Sequence, residues 1–334
     1  MKKVISLVLS VMMMLTMFAG CKASGTAETA ADTTTPAAQE FNVAIVQQLD
    51  HASLDEIRTA IVAQLQAQAE EKSVKINIQE FNGQNDATVL NQIGAQVVGD
   101  GVDLIIPIAT LAAQCMVTAA DGTDIPIVYA AISDPEAAGL TGLGNVTGTS
   151  DALNTAFILD MMLAANPDIK TVGLLYSNSE ANSATPIAEA KAYLKEKQID
   201  FVEKTGNTSG EIVEAAASMV GRVDAVFTPT DNVVMAAEVT VAETLNEAGI
   251  PHYTGADSFV AAGAFATCGV NYTELGTYTA DMAMDILLGG AVPEFHVMDG
   301  GIITVNTETA ATLGIDYSAF ASMANTVVEV KTGE

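Results

Sequence analysis

Polar side chains recur in short stretches that directly follow runs of β-branched and other apolar residues. These stretches supply amides, hydroxyls and carboxylates; they contain no Arg, and Lys204 is the only Lys beside one of them. They comprise residues 47–51, 81–86, 109–110, 132–135, 177–180, 205–207, 229–232 and 255–258. Since binding sites for phosphate or dicarboxylate groups commonly carry Arg or Lys clamps, a strongly anionic ligand is disfavoured.

The same residue types suit a small ligand with one positive and one negative charge. Backbone N–H groups and hydroxyls at helix starts can hold a single carboxylate, and the hydroxyls placed for this are Thr110, Ser133 and Ser177. The carboxylates that would favour an ammonium are Asp134, Glu180, Asp231 and Asp257. Each acid alone also fits a structural role, because Asp after a strand often caps the next helix. Together they predict a zwitterionic ligand.

The sequence lacks the common catalytic patterns, so we expect no enzymatic activity. Its three histidines accompany neither a G-x-S-x-G elbow nor an H-E-x-x-H pair. The glycines of Gly139–Gly148 do not open a helix after a strand, which argues against a dinucleotide site. Cys115 and Cys268 are isolated in apolar segments, and no His and Cys spacing fits zinc. We therefore predict neither a cofactor nor a metal.

The polar stretches lie at the ends of predicted strands in a chain that alternates strands with helices. The predicted strands cover 41–47, 74–81, 102–106, 127–130, 145–147, 172–176, 200–204, 225–228 and 252–253. The predicted helices cover 53–71, 88–98, 111–120, 185–197, 211–220 and 233–247. Such alternation is typical of βαβ units, so we predict an α/β fold with parallel sheets.

Three segments of the first half recur in the second half. VDLIIPIAT, from Val102, matches VDAVFTPTD, 121 positions later, and the segment from Ile125 matches that from Ile250, 125 positions later. VAIVQQLDH, from Val43, matches VGLLYSNSE with one gap, 129 positions later. Because the three offsets are nearly equal, we predict two doubly wound, Rossmann-like lobes of parallel sheet.

The last third of the chain is predicted to return to both lobes. Segment 264–271, a helix over 273–288 and a strand over 301–305 are interpreted as crossovers that form a hinge. The N-terminal lobe then comprises 41–147 plus about 273–303, and the C-terminal lobe comprises 148–272 plus about 304–334. Ligands of open α/β sheets bind beyond the carboxyl ends of the strands, so the polar stretches should face one cleft between the lobes.

The first forty residues predict export and anchoring. Lys2 and Lys3 precede a 16-residue apolar run, residues 4–19, which is short for a membrane span and leads into Ala-Gly-Cys21. Residues 1–20 therefore resemble a bacterial lipoprotein signal with lipid on Cys21, although Phe18 stands where Leu is usual. An ordinary secretory signal with an incidental Cys is the alternative. Residues 21–40 are small and polar, which predicts a flexible tether.

The charge of the chain disfavours nucleic acid as a partner. The 41 acidic residues against 13 basic ones give a net charge of −28, which becomes −30 without Lys2 and Lys3. Such a surface repels phosphate backbones and anionic lipid headgroups. Aromatic residues make up 5% of the chain and none is Trp, so platforms for stacking bases or sugars are scarce.

Several segments resemble the substrate-binding lipoproteins of bacterial ABC importers, in the branch associated with uptake of Trp, Tyr and Phe. Beyond Cys21 and the tether, they are VAIVQQLDHASLDEIRTAI, FNGQNDATVLNQI, VDLIIPIAT, ISDP, NVTGTSD, YSNSEANS, TPTDN and YTGADSFVAAGAFAT. The resemblance extends over essentially all of 41–330.

The resemblance implies a periplasmic-binding-protein type I fold with three crossovers and an amino-acid ligand between the lobes. It also implies a monomer outside the cell membrane, held there by lipid on Cys21, that delivers the ligand to a permease driven by a separate ATPase. The ligand contacts that it implies are Gln48, Thr110, Ser133, Asp134, Asn178, Glu180, Asp231, Asn232 and Asp257.

Two other functions fit the same two-lobed body. A sensor subunit could use it to present a ligand to a receptor, and a permease encoded alongside would decide for transport. A nucleoside-binding lipoprotein would use Asp and Asn for the ribose hydroxyls, and Phe81 or Phe259 could stack on the base. A hydrolase is the weakest alternative, since no catalytic pattern supports it.

Overall fold

A computed structural model describes residues 39–333, and these form two mostly parallel sheets covered by helices. The predicted signal, Cys21 and all but the end of the predicted tether lie outside the described residues. The first strand begins at Glu40, one residue before the predicted start of the folded body. No helix in the described range is long and apolar enough to span a membrane.

The first sheet has the strand order β11-β5-β4-β3-β1-β2. Its strands are β1 (Glu40–Gln47), β2 (Lys75–Asn82), β3 (Leu104–Ile108), β4 (Ile127–Tyr129), β5 (Val146–Ser150) and β11 (His296–Val297). The helices of this lobe are α1 (Ala52–Lys72), α2 (Ala87–Asp100), α3 (Thr110–Ala119) and α10 (Tyr272–Leu287).

The second sheet has the strand order β13-β12-β10-β9-β8-β6-β7. Its strands are β6 (Thr171–Tyr176), β7 (Asp200–Thr205), β8 (Ala225–Thr228), β9 (His252–Thr254), β10 (Ala266–Gly269), β12 (Ile302–Asn306) and β13 (Thr326–Val330). Its helices are α4 (Thr155–Ala165), α5 (Ala184–Lys197), α6 (Ser209–Ala217), α7 (Asn232–Met235), α8 (Glu238–Glu247), α9 (Asp257–Ala261) and α11 (Thr307–Leu313), with short 3₁₀ helices at Ala181–Ser183 and Ser318–Ser322.

The two sheets repeat the same winding, which confirms the predicted fold class. The order β2-β1-β3-β4-β5 in the first lobe is matched by β7-β6-β8-β9-β10 in the second. Every pairing between these ten strands is parallel, and the one antiparallel ladder joins β10 to β12. Both sheets therefore have a topological switch point beside their first strand, β1 or β6, where such folds bind ligands.

The crossings between the lobes are shorter than the sequence suggests. The chain crosses after β5, between β10 and α10, and between β11 and β12. Segment 264–271 and strand 301–305, interpreted as crossovers, instead lie mostly within the second sheet as β10 and β12. A few extended residues are enough to span neighbouring lobes. The predicted lobe boundaries, at 147 and about 303, stay a prediction about which parts move together.

Two predicted elements have different limits in the structure. Strand 102–106 is found two residues later, because the exposed Asp103 carboxylate accepts a hydrogen bond from the Asn42 N–H (2.7 Å) and ends the preceding turn. The strand then continues through Pro107, which lacks a backbone donor. Helix 233–247 breaks at Ala236 and Ala237 into α7 and α8, and neither Gly nor Pro marks that break.

Helix α10 packs closely against α1 in the first lobe, immediately after the second crossing. A Cβ atom at Gly276 would lie 2.6 Å from the Ile57 carbonyl oxygen and 2.7 Å from the Ala60 Cβ. Both contacts involve helix backbone or a short side chain, so neither can move aside freely. The missing side chain of Gly276 thus allows α10 to hold the crossing against the first lobe.

We expect Gly276→Ala to lower the free energy of unfolding by about 1–3 kcal/mol, because the added methyl overpacks the α1–α10 contact. The matched control is Gly99→Ala in α2, where a Cβ meets no atom within 4 Å. That variant should gain about 0.5–1 kcal/mol from helix propensity. Urea unfolding measures both, and equal effects of the two substitutions would contradict the close packing.

Candidate functional site

A small cavity lies between the lobes, at the carboxyl ends of the parallel strands. Its volume is about 20 Å³, which is room for roughly one water. Four of the predicted contacts line it: Thr110, Ser133, Asp231 and Asn232. At this volume, an amino acid can enter only if the lobes separate.

Two alanines that line the cavity have strained backbones. Ala109, between β3 and α3, has φ 74°, and Ala131, shortly after β4, has φ 57°. A non-glycine residue in such a region costs of order 1–3 kcal/mol, and strain of this kind clusters at functional sites. The strain turns the chain sharply at the strand ends that face the second lobe.

Hydrogen bonds between side chains join the two lobes across the cavity. His51 Nε2 lies 3.0 Å from Asn232 Oδ1, and the hydroxyls of Ser133 and Thr230 lie 2.9 Å apart. The remaining pairs are Gln48 Nε2 with Glu180 Oε1 (2.8 Å), Thr185 Oγ1 with Asp134 Oδ2 (2.7 Å), and Ser53 Oγ with Ser258 Oγ. The lobes are therefore closed on each other in this conformation.

Gln48 is fully buried at the end of β1 and contacts both lobes. Its Oε1 accepts a hydrogen bond from the Leu111 N–H (3.0 Å) at the start of α3. Its Nε2 donates to Asn85 Oδ1 and to Glu180 Oε1, each at 2.8 Å. One of the helix-start N–H groups expected to hold a carboxylate is thus already occupied by Gln48.

Glu180 is buried between amide donors from the two lobes. Besides the Gln48 contact, its Oε2 accepts a hydrogen bond from Asn232 Nδ2 (2.6 Å). Burial and, to a smaller extent, the Asp231 charge raise the pKa of Glu180 to about 7. The amide donors lower this pKa but do not cancel the effect of burial.

Asp231 is fully buried, and both of its carboxylate oxygens have partners. Oδ1 accepts from the N–H groups of Val233 and Val234 at the start of α7 (3.1 and 3.0 Å). Oδ2 accepts from the Ser177 N–H and the Ser183 hydroxyl, each at 2.7 Å. Burial raises the pKa of Asp231, and these four donors oppose that rise. The carboxylate caps a helix and joins two strand ends.

Asp257, Asp134 and Asn178 do not line the cavity. Asp257 begins α9, and its Oδ1 is buried without a hydrogen-bond partner among the described residues. Burial, with the charge of Glu56 adding to it, raises the pKa of Asp257 to about 6. Asp134 is half-buried and accepts from the Ala137 N–H (2.9 Å) as well as from the other lobe. Asn178 is exposed and donates to Thr205 Oγ1 (2.8 Å).

The predicted set omits Asp151, a fully buried acid beside the cavity. Its Oδ1 accepts from the Ser133 hydroxyl (3.0 Å) and its Oδ2 from the Tyr272 hydroxyl (3.1 Å). Burial raises the pKa of Asp151. Asp151 lies in the first crossing between the lobes, and Tyr272 directly follows the second. Their hydrogen bond therefore links these two crossings. The position of Asp151 directly after β5 was the signal available in the sequence.

His51, Leu54 and Met235 were not among the predicted contacts, although His51 lies in the polar stretch 47–51 and Phe259 was considered as a partner for a base. His51 precedes α1, lines the cavity and has a buried Nδ1 without a partner among the described residues. Leu54, Met235 and Phe259 form an apolar part of the lining. Spacing alone could not place these side chains, because they come from helices of different lobes. Among the residues that the structure describes, neither an Arg nor a Lys lines the cavity.

Comparisons with known proteins agree with the resemblance seen in the sequence. The sequence model of the family "ABC transporter substrate binding protein" matches residues 42–328. A tyrosine-binding protein of Clostridioides difficile (strain R20291) is 32% identical over 320 residues, which cover 93% of this chain and 92% of that protein.

Two solved structures extend the likeness to three dimensions. The ABC domain from Streptococcus pneumonia in complex with L-Trp is 30% identical, with a TM-score of 0.79 over 87% of this chain and 100% of that one. A ligand-free, open substrate-binding protein with adhesive properties from Clostridium difficile is 33% identical, with a TM-score of 0.65 over 87% and 99%. The predicted family and fold are thus confirmed.

We expect Glu180→Gln to change how the free energy of unfolding depends on pH. The folded-state pKa of Glu180 is about 7, against an ordinary value of 4.5. Between these values the folded chain binds a proton that the unfolded chain has released, so this group lowers stability as pH rises, by up to about 3 kcal/mol. Relative to wild type, the variant should gain stability from about pH 5 to about pH 8.

Urea unfolding at several pH values measures this difference. Glu136→Gln, a substitution at an exposed position, is the matched control. Its free energy of unfolding should change with pH in the same way as that of wild type. If the free energy of unfolding of Glu180→Gln also changes with pH as that of wild type does, the pKa of the buried carboxyl is not raised.

Proposed function

We propose a ligand and a role for this chain, which belongs to the family of ABC transporter substrate-binding proteins. The proposed ligand is an aromatic amino acid, Tyr, Trp or Phe, held between the lobes as a zwitterion. The proposed role is its delivery to a membrane permease driven by a separate ATPase. The names of two relatives support the ligand class, since one is a tyrosine-binding protein and the other is complexed with L-Trp.

The observation that carries the proposal is a closed cleft that is acidic and whose lining, within residues 39–333, includes no Lys or Arg. The oxygens of Glu180 and Asp231 are taken by protein donors. Asp257 has an oxygen without a partner among the described residues, and each oxygen of Asp151 has one protein donor in the hydrogen bonds above. An ammonium would supply the charge that these two buried carboxyls lack.

The other two parts of an aromatic amino acid also find complementary groups. The hydroxyls of Thr110, Ser133 and Thr230 can donate to a carboxylate without any Arg. The apolar lining formed by Leu54, Met235 and Phe259 suits an aromatic ring once the lobes open.

Of the nine contacts expected from the sequence, we propose direct ligand contact for Thr110, Ser133 and Asn232, which line the cavity, and for Asp257, which directly follows the lining residue Ala256 and would be reached once the lobes separate. For the other five we propose supporting or interlobe roles, and these are Gln48, Asp134, Asn178, Glu180 and Asp231.

Hinge closure supports the role in transport. The polar contacts across the cleft form when the lobes approach, so a ligand that touches both lobes favours closure around itself, with the lobes farther apart than in the present conformation. The TM-score is higher to the L-Trp complex than to the open, ligand-free relative, 0.79 against 0.65. A conformational difference of this kind would let a permease distinguish loaded from unloaded protein.

A nucleoside is the second candidate ligand. Phe259 is buried and lines the cavity, where it could stack on a base, and Asp and Asn side chains suit ribose hydroxyls. Phe81, the other aromatic residue considered, is not in the lining. The same titrations therefore include adenosine.

We expect Asp257→Asn to weaken amino-acid binding, because the ammonium loses a buried charge partner. The loss should be about 2–5 kcal/mol, or roughly 30- to several-thousand-fold in Kd. Wild-type affinity should also fall as pH drops below about 6, where the carboxyl of the free protein takes up a proton. Binding by the variant should lack this pH dependence.

Titration calorimetry with L-Tyr, L-Trp, L-Phe and adenosine measures these effects. Asp121→Asn, which removes the same charge from an exposed site beyond the far end of α3, is the control. Binding of adenosine with no binding of any amino acid would contradict the proposed ligand. Undiminished amino-acid binding by Asp257→Asn would place the ammonium elsewhere, with Asp151 next to test.

Anchoring is proposed from the sequence alone. An extracytoplasmic location is what the family implies, and lipid on Cys21 would hold the chain at the membrane. We expect Cys21→Ala to release the protein from the membrane fraction or to mislocalise it, as followed by immunoblotting of fractionated cells. Recovery of the wild type as a wholly soluble protein without lipid would contradict the anchor.

A further inference from the structure

His51 lines the cavity, and one of its two ring nitrogens has no hydrogen-bond partner among the described residues. Its Nε2 faces Asn232 Oδ1 at 3.0 Å, whereas its Nδ1 is buried without a hydrogen-bond partner among the described residues. A buried polar nitrogen without a partner is costly, so a group that pairs with it gains binding energy. Whether Nδ1 donates or accepts decides which ligand group that is.

The tautomer of His51 follows from a chain of hydrogen bonds that begins at the backbone. The Leu111 N–H can only donate, so the Gln48 atom facing it is Oε1, and Gln48 Nε2 must face Glu180. The amide that contacts the other oxygen of this carboxylate likewise presents its NH₂ group, which is Asn232 Nδ2.

The orientation of Asn232 then fixes the histidine. With Nδ2 directed at Glu180, the oxygen Oδ1 faces His51 Nε2, which must carry the proton in order to donate. In a neutral imidazole the other nitrogen is then an acceptor. Burial lowers the pKa of His51, although the Asn232 contact and the charges of Asp55 and Asp50 oppose this. The ring is therefore neutral, and its Nδ1 lone pair takes no part in the chain of hydrogen bonds that links His51 to Asn232 and Glu180.

The surroundings of His51 indicate which donor it meets. Leu54 and Met235, on the helices that follow His51 and Asn232, line the cavity with apolar side chains. Asp257 has a carboxylate oxygen without a partner among the described residues, and its charge influences Tyr272 near the hinge. The ammonium and the ring of an aromatic amino acid would thus meet different acceptors.

We infer that His51 determines specificity within the proposed aromatic amino-acid site. Its Nδ1 accepts a hydrogen bond from an O–H or N–H group on the ligand's side chain, and Glu180 and Asn232 are the positioning residues that fix its tautomer. The site thereby prefers Tyr and Trp over Phe, which has no such donor and would leave Nδ1 buried and unpaired. This inference rests on the proposed function.

Calorimetry of wild type and His51→Gln with L-Tyr, L-Trp and L-Phe tests the preference. Gln can keep a donor towards Asn232 Oδ1, and its acceptor shares the same terminal amide carbon, so it has no acceptor at the position of Nδ1. We expect wild type to bind Tyr and Trp roughly 10- to 100-fold more tightly than Phe, and this ratio should fall to near one in the variant. Asp257→Asn is the matched control, since it should weaken all three ligands and keep the ratio.

The possible outcomes separate the two proposals. If wild type binds none of the three amino acids, the proposed function fails and this inference with it. If wild type binds them but shows no preference over Phe, or if His51→Gln keeps the preference, the inference alone is wrong.

¹⁵N NMR of the imidazole rings tests, without any ligand, whether the hydrogen bonds from Glu180 through Asn232 fix the tautomer of His51. The chain has three histidines, and His252, whose two ring nitrogens contact Glu238 and Thr228, serves as an internal reference. At about pH 8.5, where Glu180 is mostly ionised, we expect neutral His51 with the proton on Nε2. In Glu180→Gln the Asn232 amide can reverse, so the proton should move to Nδ1 in at least part of the population. A wild-type His51 that is charged or protonated on Nδ1 would overturn the assignment.

Discussion

Glu180 is a buried carboxylate held between two lobes by amide donors, with no Lys or Arg affecting its pKa in the described part of the chain. An ionised carboxyl in such a place is costly unless its lone pairs are satisfied. Gln48 from the first lobe and Asn232 from the second satisfy them. The Leu111 N–H orients the Gln48 amide, whereas Glu180 orients the Asn232 amide and, through it, the His51 ring.

The repeated fold explains how residues so distant in sequence reach one network. Equivalent winding of the two sheets places the ends of β1 and β3 opposite those of β6 and β8, so short polar loops meet across the cleft. The crossings beside them are short, and the contact between Asp151 and Tyr272 joins two of them. Movement of the hinge and rearrangement of the cleft are therefore coupled through the same side chains.

The sequence predicted the repeat, because hydrophobic strands with turn residues at equal offsets depend only on local pattern. It also identified the polar strand ends, including Gln48, Glu180 and Asn232. It could not show that Asp231 uses both oxygens to cap α7 and join two loops, since capping and ligand binding demand the same residue type. His51 and Asp151 both follow strand ends, which the sequence pattern could indicate, but their roles arise from contacts across lobes and crossings, which sequence spacing does not encode.

Small-angle X-ray scattering of the purified protein, without ligand and with saturating L-Tyr, tests directly whether an amino acid closes this cleft, whose described lining has no Lys or Arg. We expect a smaller radius of gyration with L-Tyr and no change with adenosine. An unchanged radius at saturating L-Tyr, or contraction with adenosine alone, would contradict it.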